Sequence, residues 1–174
     1  MKETHRTPLA QRYFAGLAEA AFHGRLGVAD PPLVDYIAEL LARFIHVDAI
    51  FRVRNLTGKR LEEVAEMLAE AEGRIGNPHR EVHRHIGDFT LYWTGVFPEA
   101  LERMRSSLTK DFFLDYCEQG KRSYYIASTY RDGDYAQESE VLERISRQFE
   151  LCAYGLGEVR RQWENEEGES LLTR

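Results

Sequence analysis

Three histidines, an aspartate and three aromatic residues crowd into 79-HREVHRHIGDFTLYW-93, the one stretch dense in side chains that could do chemistry. His79 and His83 stand at i and i+4, which puts both imidazoles on one helical face, the spacing that zinc and iron helices use. Residue 80 is Arg80, where an H-E-x-x-H motif has its general base, and two ligands are too few to close a metal site. On a helical wheel Val82, Ile86, Phe89 and Trp93 form a buried stripe that includes His79. His83 lies about 40° from His79, at the edge of the stripe, and His85 about 160° from His83. Asp88 is expected to point away from the stripe.

A third ligand would have to come from another helix. His46 falls opposite the apolar stripe of its own segment (Ile37, Leu40, Leu41, Phe44, Phe51), a poor place from which to enter a core. Asp48 falls inside that stripe, between Phe44 and Phe51. A buried, unpaired carboxylate costs several kcal/mol, so Asp48 is expected to be ionised and paired. Its partner would be an arginine, a helix cap, or His79 and His83 with or without a shared metal. The histidines read first as structural, next as ligand contacts, and last as metal ligands, and no cofactor is expected. If a ligand pocket exists, its candidate lining is Phe89, Tyr92, Trp93 and Tyr124, with His79, His83 and Asp48 as polar contacts. Asp132-Gly133-Asp134 reads as a turn, since no acidic twelfth-position ligand follows it as in an EF-hand loop. The sequence holds no Ser-His-Asp order, phosphate loop or dinucleotide fingerprint.

The elements that must position these residues are helices. Proline recurs where a first helical turn should start, at Pro8, Pro31, Pro78 and Pro98, and Thr7, Asp30 and Asn77 precede three of them as caps. The patterns predict helices over 8–24, 31–53, 58–73, 78–97, 98–107 and 109–131, the last with a possible break at Gly120. After a turn at 132–137, with Asp134 and Gln137 spaced as a capping box, a long helix is predicted to about Asn165. Its apolar positions, Leu142, Ile145, Phe149, Cys152, Leu156, Val159 and Trp163, alternate steps of three and four, which is a heptad seam. Gly155 and Gly157 weaken that helix by roughly 1 kcal/mol each unless another backbone packs closely there. No segment alternates convincingly as a strand. The expected architecture is all-α, a single-domain bundle of about six or seven helices over 1–165, followed by a frayed acidic tail over 166–174.

Composition narrows the function. The chain has 174 residues, 43% hydrophobic and 30% charged, which suits one globular domain and not a disordered chain. A net charge of −6 argues against nucleic-acid binding, which needs a basic face. No apolar run is long enough to span a bilayer. Cys117 and Cys152 form no spaced redox or metal motif, and a cytoplasmic setting is expected. Three readings compete. A non-catalytic helical module that forms a homodimer near the Leu142–Trp163 seam comes first, ahead of a bundle with a small-molecule pocket. A metal-dependent enzyme using His79, His83 and Asp48 comes third, so whether the chain is an enzyme stays open.

Overall fold

The computed structural model describes residues 9–172, and side chains as far as Glu167. It is all-α, with nine α-helices and no β-strand among the described residues. Helix α1 (Leu9–Ala18) continues as a wider π-helical segment, Glu19–Arg25. There follow α2 (Pro31–Arg43), α3 (Val47–Ile50), α4 (Val64–Glu72), α5 (Asn77–Gly95), α6 (Leu101–Met104), α7 (Tyr116–Ser128), α8 (Ala136–Arg147) and α9 (Phe149–Leu172). The count exceeds six or seven because two of these helices are single turns and two predicted helices are each split in two. The expected start at Thr7-Pro8 lies outside the described residues.

The proline rule holds best at α2. Asp30 accepts from the backbone N–H of Leu33 at 3.3 Å, with Pro31 in the first helical position. It works less well elsewhere. Gly76, at φ 66°, precedes α5, and Asn77 makes no capping bond. Pro98 opens only a 3₁₀ turn (Pro98–Ala100) leading into α6, not a helix to residue 107. The 109–131 segment divides into a 3₁₀ turn (Lys110–Phe113) and α7. Asp115 caps α7 by accepting from Glu118 N–H at 3.1 Å. Helix α7 runs unbroken through Gly120, where a side chain would strike the Phe149 ring and Thr90. No side chain caps α8, so Asp134 and Gln137 form no capping box.

Two breaks reset the helical phase. Helix α2 stops at Arg43, where Phe44, Ile45, His46 and Val47, all modest or poor helix formers, follow one another. The long C-terminal helix bends at Gln148, with φ −114° and ψ 30°, between α8 and α9. The bend sets Phe149 against Gly120. Helix α9 then continues past the expected end at Asn165 to Leu172.

Helix α5 is the axis of the fold and packs against α4, α7 and α9. The heptad seam is spent inside the chain. Leu142, Ile145, Phe149, Cys152, Leu156 and Val159 are all buried and Trp163 is half-buried. Close approach compensates for the glycine in α9, because a side chain at Gly155 would run into the Phe22 ring. The seam therefore has no free face for a second copy, and the argument for a dimer from heptad spacing loses its basis.

Candidate functional site

Most of α5 is buried on all sides between Val82 and Leu91, polar residues included. At its centre Asp88 is fully buried, contrary to the wheel that pointed it outward. Its Oδ1 accepts from the Tyr36 hydroxyl at 2.6 Å and the Tyr124 hydroxyl at 2.7 Å, and its Oδ2 accepts from Arg43 Nη2 at 3.1 Å. Gly87 makes room, since a β-carbon there would sit 2.6 Å from the Tyr124 ring. Burial pushes the Asp88 carboxyl up, but Arg43, Arg84 and the two phenols outweigh it and hold its pKa below the usual value. Burial first, then the Asp88 charge, raises both tyrosines well above theirs. The unit is thus one carboxylate, one guanidinium and two neutral phenols, tying α2, α5 and α7 together. It is sealed from solvent, and a substrate cannot reach it.

A second polar chain runs along α5. Arg80 is fully buried, donates to Glu81 at 2.6 Å and to Glu138, and lies 4.2 Å from the centre of the Tyr135 ring. Arg84 donates to the same Glu138 at 2.8 Å. His85 is buried among Phe44 and Phe89, and neither ring nitrogen has a hydrogen-bond partner of ordinary geometry. The Ile50 backbone lies close without meeting that geometry. Burial, despite the opposing charge of Asp88, brings the His85 pKa down to about 4.

The expected His79–His83 pair forms. The ring centroids are 4.6 Å apart and the planes are inclined by 66°. His79 Nδ1 shares a 2.7 Å hydrogen bond with the Tyr130 hydroxyl. His83 Nδ1 lies 3.2 Å from Ser123 Oγ, which also receives Gln119 Nε2–H at 3.0 Å. Burial, reinforced by His79, lowers the His83 pKa to about 4. Asp48 is nowhere near them. It stands on α3 with its side chain 87% exposed and accepts from Arg60 at 2.7 Å. The wheel failed because it was carried across the break after Arg43. His46 is exposed as well. Among the described residues no group of three or more His, Cys, Asp or Glu is placed to hold a metal ion.

The proposed aromatic pocket is largely filled. Phe89 packs on Phe51 at 5.9 Å, Trp93 at 6.2 Å and Tyr116 at 6.4 Å between ring centroids, and Tyr124 is held on Asp88. Of the pocket residues only Tyr92 borders a substantial opening. That opening is an apolar groove of about 950 Å³ between α1, the chain after α2, α5 and α9. Phe14, Phe44, Tyr92 and Trp163 form its walls, and Leu9 and Ile45 stand 84% and 51% exposed at its rim. A second cavity, of about 550 Å³, shares Ala10 and Ile45 with it and adds Glu39, Arg43 and His46. Arg43 thus joins the buried Asp88 unit to an open surface. Sequence periodicity could name Tyr92 and Trp163 as apolar, but not that the two face one opening.

Cys117 and Cys152 are free thiols, and burial pushes their pKa values up to about 11 and about 12, so neither is an activated nucleophile. No described helix is long and apolar enough to cross a membrane. Compared with known proteins, the chain matches no family model, and no curated protein or solved structure is significantly similar to it.

Proposed function

We propose that the protein is a non-catalytic binding module whose working surface is the apolar groove, and that its occupant is an elongated apolar small molecule with one polar end. The observation that carries this reading is the groove itself. Its volume, about 950 Å³, lies within the ordinary range for ligand sites, and aromatic walls from separate helices converge on it. The adjoining cavity offers Arg43, His46 and Glu39 to a polar end. Catalysis lacks comparable support, because the strongly perturbed groups Asp88, Tyr36, Tyr124 and His85 lie sealed in the core.

Self-association is the second reading. Leu9, Ile45 and Val47, respectively 84%, 51% and 58% exposed, favour a second copy over the same face. A dimer would need a broad patch of about 800 Å² on each partner, and a concave groove suits a small ligand better. The net charge of −6 continues to argue against nucleic acid, and the two free thiols fit a reducing, cytoplasmic compartment.

Trp163 makes the test direct. In a Trp93→Phe background it is the sole tryptophan. Titration with dodecanol and with dodecanoate should then change its fluorescence saturably, and Ile45→Glu should abolish the change while leaving the melting temperature near that of the parent. No saturable change with either compound would overturn the ligand reading. Sedimentation that shows a concentration-dependent dimer, lost in Ile45→Glu, would favour self-association instead.

A further inference from the structure

We infer that His79 and His83 form a half-open site for a tetragonal divalent transition-metal ion, copper(II) or nickel(II), bound through the two Nε2 atoms. This is independent of the groove. Both Nδ1 atoms are already occupied, His79 by Tyr130 and His83 by Ser123. Neither Nε2 has a hydrogen-bond partner among the described residues, and neither is sealed from solvent as the His85 nitrogens are. This is how ligating histidines are ordinarily held, with the far nitrogen tethered and the near one presented to the ion. Ser123 can accept from His83 Nδ1–H while it receives Gln119, so the tautomer that frees Nε2 fits the hydrogen bonds present.

The ring separation selects the geometry. With a metal–nitrogen bond of about 2.1 Å and ring centres about 1.1 Å beyond, two imidazoles on one ion have centroids roughly 4.5 Å apart at a right angle and about 5.2 Å apart at the tetrahedral angle. The observed 4.6 Å matches the right angle. Adjacent positions at a right angle belong to square-planar and octahedral ions, and imidazole with oxygen ligands favours copper(II) and nickel(II) over tetrahedral zinc. The protein supplies two ligands, so the remaining positions fall to water or an external donor. The i, i+4 spacing on a regular helix and its position beside α7 hold the pair in place without the ion.

The test uses the whole chain prepared without an affinity tag. Titration with copper(II) followed by electron paramagnetic resonance should show one ion coupled to two imidazole nitrogens, and calorimetry with nickel(II) should give one site. His79→Gln and His83→Gln should each leave at most one coupled nitrogen, whereas His46→Gln should change nothing. Tyr130→Phe, which removes only the tether on His79, should weaken binding roughly 10-fold or more while keeping both nitrogens. Circular dichroism of each variant establishes that the loss is not unfolding. No saturable uptake, or a spectrum unchanged in both His79→Gln and His83→Gln, would overturn the site.

Discussion

Helix α5 and the α8–α9 seam are both buried, but in opposite ways. The seam is apolar at every inward position from Leu142 to Val159, apart from the thiol of Cys152, and its packing asks only for volume and shape. Helix α5 buries Arg80, His83, His85, Asp88 and Thr90 alongside Val82, Ile86 and Phe89. Each of its charged groups survives burial only because another helix delivers a partner, α2 and α7 to Asp88, α8 to Arg80. Apolar burial is non-directional and tolerant, whereas a buried charge is worth keeping only while its geometry is complete. The seam should therefore fail gradually and α5 abruptly.

The largest effect is expected at the centre of α5. Asp88→Ala removes the acceptor of two sealed phenols and the partner of Arg43, and should destabilise the fold by about 3 kcal/mol or more in chemical denaturation. Arg43 is partly exposed and can turn to solvent, which limits the loss from that partner. A loss below about 1 kcal/mol would show that the buried unit is dispensable and erase the contrast with the seam.

Leu156→Ala sharpens the comparison from the other side. Leu156 is fully buried beside Gly95, and its truncation should cost about 2–4 kcal/mol through lost contact and a residual cavity. The methionine substitution at the same site, which conserves volume, should recover most of that, whereas Asp88→Asn should not recover a comparable share. Parallel denaturation curves of the four variants test this.

The pH dependence should follow α5 alone. His83 and His85 have folded pKa values of about 4, below the ordinary 6.5. As pH falls the unfolded chain takes up these protons first, so their contribution is complete above about pH 6.5 and drains away as pH drops toward 4. Asp88 acts in the same direction lower on the scale, because its depressed pKa gives stability that is lost only below the ordinary carboxylate range. Melting temperature measured from pH 7 to 4 should decline, and His85→Phe should flatten part of that decline. An unchanged slope in His85→Phe would mean that the ring is not held neutral by burial.

The smallest effect belongs to Asp48. Its exposed pair with Arg60 is worth little in water, so Asp48→Ala should leave the melting temperature unchanged. A large drop there would restore the buried carboxylate that the wheel had suggested.

The sequence alone determined what depends on local periodicity and on apolar burial. Heptad spacing identified the inward residues of α8 and α9, Asp30 and Pro31 marked the start of α2, and four-residue spacing paired His79 with His83. Each is a relation within one helix or one turn, where backbone geometry ties spacing to direction. Only the tertiary structure decided the rest. The breaks at Phe44 and Gln148 change the phase of everything beyond them, which moved Asp48 from an expected core position into solvent. Asp88 became the centre of the molecule because Tyr36, Arg43 and Tyr124 come to it from two other helices, 52, 45 and 36 residues away along the chain. A wheel drawn for one helix assumes one wet side. Helix α5 has almost none between Val82 and Leu91, and how many neighbours surround a helix is a property of the packing, not of its own sequence.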